Sequence, residues 1–277
     1  MSHHFIQFGV IIPTYNRPEL LRLAIAAVEA QTYPHWKLFI CDDASTTDYS
    51  PVLPLLDDER VAFIRRPQNG GCNAARNTGI DAAIESGVDF ILCSGDDEEL
   101  DPHALEEALK VIQAHPDCGW FISNTAGDEK SVSKKILSEG YCDWLDDYVY
   151  GKKLRGDKTH VISTAALGDI RYDGRYRNAN MWPFFIPLSA KTRMWAYPYP
   201  SKMIRYLDDG ITKNSSRYPK TWLEIYSRFA KHACAISHRP TKFAAYRYLI
   251  LELLKTPKRI PYLYRQPRRT AASRHSD

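Results

Sequence analysis

Apolar residues come in two alternating textures over the first half of the chain. Short unbroken runs, "FGVIIPTYN", "KLFICDD", "VAFIRR", "VDFILCSG" and "GWFISNT", are too brief for helices. They end in Pro, Gly, Asp or Asn and predict strands buried on both faces. Between them, apolar positions recur at helical spacing. In "RPELLRLAIAAVEAQ" these are Leu20, Leu21, Leu23, Ala24, Ala27 and Val28, and Pro18 suits a first turn. "GGCNAARNTGIDAAIESG" predicts a helix with a Gly-rich entry and Gly87 as its stop. "DPHALEEALKVIQAHP" predicts another, from Asp101-Pro102 to Pro116. Alternation of this kind predicts an α/β fold, a Rossmann-like, mostly parallel sheet with helices on both faces.

In such sheets ligands bind outside the carboxyl ends of the strands. The unusual residues fall there: Pro13-Thr14-Tyr15, Asp42-Asp43 and Asp96-Asp97. From about Gly127 the texture becomes irregular and rich in Tyr, Trp, Pro and Arg. The organisation expected is a first half over 1–126, a second lobe over 127–238 packed on the sheet, and a basic amphipathic extension over 239–277.

The 277 residues suffice for one large α/β domain or two small ones, and the net charge is only +4. That charge is uneven. From Arg239 onward Lys242, Arg247, Lys255, Lys258, Arg259, Arg265, Arg268, Arg269 and Arg274 are opposed only by Glu252 and Asp277. The 6 cysteines show no CxxC spacing, which argues against a zinc site and for reduced thiols in the cytoplasm. "MSHHFIQF" lacks the basic and apolar regions of a signal peptide, and no apolar run has the length of a membrane span.

Two adjacent carboxylates at a strand end, Asp96 and Asp97, need solvation or neutralisation. A hard divalent cation accepts such oxygens and leaves positions for phosphate; a plain acidic turn before a helix is the other reading. Asp42 and Asp43 offer carboxylates to a base N–H or a ribose hydroxyl, or make an Asx turn. Tyr15 offers a ring for base stacking. "NGGCNAARNTGI" combines backbone N–H groups at a helix start with Arg76, a suitable diphosphate cradle.

In this order, "VIIPTYNRPELLRLAIAAVEAQTYPHWKLFICDDASTTD", "NGGCNAARNTGI" and "FILCSGDDEELDPHAL" resemble family 2 glycosyltransferases of the GT-A fold, over roughly the first 125 residues. The resemblance implies inverting transfer of a sugar from a nucleotide sugar, a UDP-sugar above all, with Mg²⁺ or Mn²⁺. It implies that Pro13, Thr14, Tyr15, Asp43, Arg76 and Asp96 bind the nucleotide and that Asp97, in the DXD-type motif "GDDE", holds the metal. Glu98 stands at the motif's third position, where the family has Asp. An inverting transfer also needs a base for the acceptor's proton. In "YDGRYRNANMWPFF" the acid expected there falls on Asn180, so the candidates are Asp173 and Asp208, with Asp209 beside it. A member that has lost transfer activity and only binds nucleotide sugar or docks in an assembly is the alternative. A nucleotidyltransferase would place a Gly-rich loop and a basic residue after the first strand, and "PTYNRPE" has none.

Trp182, Phe184, Phe185 and Trp195 make either an acceptor platform or plain core. His160, without metal-ligand spacing, reads as a surface or loop residue. Residues 239–269 mix basic and apolar positions. They make either a helix lying on an anionic membrane surface, each Lys or Arg adding about 1 kcal/mol, or a solvated basic helix packed on the domain. No nucleic-acid motif is present. The resemblance implies as partners a nucleotide-sugar donor and a glycan or lipid-linked acceptor, and, with the basic tail, a cytoplasmic protein that can sit peripherally on the inner face of the cytoplasmic membrane.

Overall fold

The computed structural model describes residues 5–127, 135–150, 153–154, 156–174, 181–204 and 250. The chain divides into two units, Met1–Ser215 and Ser216–Asp277, and every element named below belongs to the first.

The first half forms β1 (Phe8–Thr14), α1 (Pro18–Glu29), β2 (Trp36–Asp42), β3 (Val61–Arg65), α2 (Cys72–Glu85) and β4 (Phe90–Cys93). Pro18 opens α1 where a missing N–H costs nothing, and Gly87, at φ 77°, follows the end of α2. β1 pairs in parallel with β2 on one side and β4 on the other, and β2 pairs in parallel with β3. The winding therefore reverses between β1 and β4, and this switch point opens a crevice at the strands' carboxyl ends.

Alternation along β1 explains why its run is apolar throughout. Val10 and Ile12 join Leu21, Ile25 and Val28 of α1 in one core, with Leu105 and Ala108 of α3 (Ala104–Ala114). Each such buried aliphatic side chain contributes roughly 1.5–3 kcal/mol. Ile11 points to the other face, against α2. There Gly79 lies so close that a Cβ would sit 2.4 Å from Ile11 Cγ2 and 2.8 Å from Cys41 Sγ.

The remaining elements are β5 (Glu98–Leu100), β6 (Cys118–Gly127), β7 (Gly140–Cys142), β8 (Lys158–Ser163), α4 (Thr164–Leu167), α5 (Trp182–Ser189) and β9 (Arg193–Ile204). The parallel sequence breaks here. β6, the fifth strand of the expected parallel sheet, does not pair with β4, because β8 lies between them and is antiparallel to both. β9 then pairs in parallel with β6. Among the described residues the sheet runs β3-β2-β1-β4-β8-β6-β9-β5, with β7 also on β9. β8 and β9 come from the irregular half of the chain, so the sheet continues past residue 127. Partners this distant in sequence leave no local signal.

Trp120 faces away from the α1–α3 core and stacks on Phe185 at 5.0 Å. Phe184 and Phe185 are each 1% exposed and belong to the core, not to an acceptor platform. His160 corrects its sequence reading as a surface or loop residue. It lies within β8, 4.4 Å from the Phe185 ring, and its Nδ1 accepts the Trp120 Nε1–H at 3.1 Å. Burial, with Lys202 and Lys158 nearby, lowers its pKa to about 3, so the imidazole is neutral.

Candidate nucleotide and metal site

Thr14 ends β1 and is 3% exposed. Its hydroxyl shares a 2.9 Å hydrogen bond with the Tyr49 hydroxyl and donates to Asp96 Oδ2 at 3.0 Å. The residue before it is Pro13, inside a central strand. The Ile11 carbonyl accepts the Ser94 N–H and so faces β4. Pro13, two residues on, faces the same side, past the last β4 partner Cys93, so its missing N–H breaks no ladder bond. Tyr15 is exposed. Asn16 takes a left-handed φ of 56° that Asn tolerates. Its N–H donates to Ser45 Oγ at 2.8 Å, and its Oδ1 accepts the Thr46 and Thr47 N–H groups at 2.7 and 3.1 Å. The loops after β1 and β2 are thus clamped together around the site.

Asp42 and Asp43 diverge. Asp42 is fully buried, takes the Ser45 N–H at 3.0 Å and has Arg65 Nη1 at 3.5 Å. Asp43 faces the loop before α2. Its Oδ1 accepts Arg66 Nη1 and the Gly70 N–H (2.9 Å), and its Oδ2 accepts the Gly71 N–H at 2.6 Å. Two amides that the sequence offered to a diphosphate are therefore spent on Asp43. Arg66, at the end of β3, could have been found from the strand-end rule.

The acidic run separates into two roles. Asp96 and Asp97 lie on either side of Arg17, whose Nη1 is 3.5 Å from Asp96 Oδ1 and 3.6 Å from Asp97 Oδ2. Burial and the neighbouring Asp97 push Asp96 up to about 6, against Arg17 and Thr14. Burial and Glu98 raise Asp97 as well. Glu98 instead turns inward. Its Oε2 accepts Lys202 Nζ at 2.6 Å, the Gly95 N–H at 2.7 Å and the Ser94 hydroxyl at 3.2 Å. Burial would raise its pKa, but Lys202 and the Gly95 N–H hold it below the ordinary value. The chain after Asp97 forms β5, antiparallel to β9, with Leu100 opposite Lys202. A plain acidic turn leading to a helix was the alternative reading of the sequence; here a short strand paired with β9 intervenes, and Lys202 of β9 holds Glu98.

Among the described residues no group of three or more His, Cys, Asp or Glu side chains converges as a metal site. Asp96 Oδ1 and Asp97 Oδ2 do converge on one cationic nitrogen, and both are hard oxygen donors. That set fits Mg²⁺ or Mn²⁺ sharing its other positions with phosphate oxygens.

α2 carries the remaining candidates. Arg76 packs 5.5 Å from the Tyr172 ring centre, with Nε and Nη1 buried and, among the described residues, without a hydrogen-bond partner. Asn77 exchanges two 2.8 Å hydrogen bonds with the Tyr172 backbone, and Asn73 Nδ2 reaches the Asp173 carbonyl at 3.4 Å. The half-buried Asp173 is thereby brought to the start of α2. Asp208, Asp209, Asn180 and residues 239–249 and 251–277 lie outside the described residues. A separate cleft of about 640 Å³, lined by Trp120, Tyr141, Trp144 and Arg193 among others, lies elsewhere. It opens at the amino ends of β6 and β9, the sheet edge opposite this site.

A sheet that reverses at β1 and β4, with carboxylates and arginines gathered at that point, defines an α/β protein whose ligand crevice lies at the switch point. Residues 9–169 match the model of Glycosyl transferase family 2, and the chain belongs to that family. It is 36% identical over 145 residues to the succinoglycan biosynthesis protein ExoW of Rhizobium meliloti, covering 47% of this chain and 45% of that one. It is 34% identical over 184 residues to the GalNAc(5)-diNAcBac-PP-undecaprenol beta-1,3-glucosyltransferase of Campylobacter jejuni, covering 64% and 58%. The chain thus spans about half the length of these two relatives. The structure superimposes on S. aureus TarS 1–349 in complex with UDP-GlcNAc with a TM-score of 0.76 at 17% identity, covering 95% of this chain and 77% of that one. The shared fold is GT-A.

Proposed function

We propose that this chain is an inverting glycosyltransferase that moves a sugar from a nucleotide sugar, a UDP-sugar above all, to an acceptor hydroxyl of a bacterial surface glycan such as lipopolysaccharide, O-antigen or capsule. The observation that carries the reading is the convergence of Asp96 and Asp97 on one cationic nitrogen at the β1–β4 switch point, with Thr14 bonded to Asp96. The relatives' names support the glycan class: one is a succinoglycan biosynthesis protein and one an undecaprenol-linked glucosyltransferase.

Each residue has a task in this reading. The exposed Tyr15 stacks on the base. Among the described residues Asp43 Oδ2 accepts only the Gly71 N–H, so a lone pair remains for an N–H of the base. Asp96, oriented by Pro13-Thr14, meets the ribose or sugar phosphate, and Arg76 brings positive charge to the diphosphate. Asp97 holds Mg²⁺ or Mn²⁺, which supplies Lewis-acid neutralisation of the nucleoside diphosphate as it departs. The acceptor oxygen attacks the anomeric carbon, the bond from that carbon to phosphate oxygen breaks, and Asp173 or Asp208 takes the hydroxyl proton. Residues 1–126 serve the donor, 127–238 the acceptor, and 239–269 an anionic membrane surface on the cytoplasmic side. Among the described residues no helix is long and apolar enough to cross a membrane.

Calorimetric titration of UDP, GDP and CDP, each with Mn²⁺ and with EDTA, tests the donor site. Metal-dependent binding of one nucleotide is expected, and binding of none refutes the reading. Hydrolysis of the matching nucleotide sugar then separates an enzyme from a pure binder.

A further inference from the structure

We infer that Arg17 is a built-in counter-cation, holding the Asp96–Asp97 pair until a divalent cation and nucleotide displace it. The inference rests on the proposed reading of Asp97 as the metal ligand, with Asp96 beside it in the same site.

Three observations carry it. First, the contact is loose. Arg17 Nη1 stands 3.5 and 3.6 Å from the two carboxylates, beyond the usual hydrogen-bond length of about 2.7–3.2 Å. Lys202 grips Glu98 in the same turn at 2.6 Å. A guanidinium built as a permanent strut for one carboxylate would engage it in a bidentate fork; Arg17 instead approaches both carboxylates through one nitrogen. Second, its backbone is anchored while its side chain is long. Arg17 is the N-cap of α1. Its N–H donates to the Tyr49 hydroxyl at 3.1 Å, and its carbonyl accepts the Leu21 N–H at 3.1 Å. Withdrawal of the guanidinium from the two carboxylates can therefore proceed by side-chain rotation while the backbone between β1 and α1 stays in place. Third, the charges fit exchange. Two ionised carboxylates carry twice the charge that Arg17 neutralises, so a divalent cation can replace it with a net electrostatic gain. Tyr49 fixes both the Arg17 backbone and Thr14, which holds Asp96. Donor and acceptor of the displaced contact are thus kept in register.

In this arrangement the bare protein resists free metal. Entry of a cation together with a diphosphate is favoured, because the diphosphate offers the released guanidinium a new anionic partner.

The test compares the full chain with its Arg17→Gln and Arg17→Lys variants for binding of Mn²⁺ alone, read from the electron paramagnetic resonance signal of free Mn²⁺. Circular dichroism checks that each variant is folded. Arg17→Gln is expected to bind Mn²⁺ on the order of tenfold more tightly than the parent, and Arg17→Lys to stay near the parent. Arg17→Gln should also bind UDP more weakly in EDTA. An Arg17→Gln protein that binds Mn²⁺ no more tightly than the parent, or not at all, overturns the inference. The two readings fail separately. If the parent binds UDP with Mn²⁺ but Arg17→Gln gains no metal affinity, only the role of Arg17 falls. If the parent binds no nucleotide, the proposed function falls, and the Mn²⁺ comparison still decides the role of Arg17.

Discussion

Replacing Asp96 with Asn removes an ionised carboxyl from a position only 8% exposed, while an amide oxygen remains to accept the Thr14 hydroxyl. Burial and Asp97 raise the Asp96 pKa from 3.8 to about 6. At 1.36 kcal/mol per pH decade, keeping it ionised in the folded protein costs about 3 kcal/mol. That figure already counts the Arg17 and Thr14 contacts, which lower the Asp96 pKa, so Asp96→Asn is expected to be about 3 kcal/mol more stable than the parent near pH 8. The sign follows from linkage. The folded-state pKa lies above the unfolded one, so between about pH 4 and pH 6 the folded parent holds a proton that the unfolded chain has released. Parent stability therefore falls as pH rises through that window, and the deficit is complete above it. The variant lacks this limb. Urea unfolding in EDTA from about pH 4 to pH 8 should show a gap that opens with pH, while Mn²⁺-dependent nucleotide binding is lost. A variant less stable than the parent at pH 8, or offset equally at every pH, refutes the reasoning.

Other substitutions read other contacts. In Gly70→Ala the new Cβ would lie 2.6 and 2.8 Å from the Arg66 guanidinium nitrogens and 2.9 Å from Ala74 Cβ. Arg66 should leave Asp43, weakening UDP binding about tenfold by calorimetry (roughly 1.4 kcal/mol) with little change in melting temperature. Gly79→Ala forces a methyl against Ile11 and Cys41 and should cost about 1–3 kcal/mol in urea unfolding. Lys202→Met leaves Glu98 buried without its charge partner and should cost about 3–5 kcal/mol; adding Glu98→Leu should recover much of that. If the double variant is no more stable than the single one, the pair is not the strut of the acidic turn.

What the sequence determined by itself was everything that depends on near neighbours along the chain. The two periods of apolar residues, Pro18 at a helix start and Gly87 past a helix end reflect constraints acting within a turn or a strand. They marked β1 to β4 and α1 to α3 to within a few residues. Because a parallel sheet puts its loops at the strands' carboxyl ends, they also drew attention to Thr14, Asp43 and Asp96 before any contact was known. Only the tertiary structure decided the rest. β8 enters between β4 and β6 because its partners lie far away in the chain, and short strands in an irregular segment carry no period long enough to read. Glu98 stands at the third position of the acidic motif, and only the fold shows that Lys202, 104 residues later, holds it. His160 looks isolated until Trp120, Trp144 and Phe185 close around it. Whether a charge waits for a ligand or is already paired depends on distances across the fold, and residue order does not encode those distances locally.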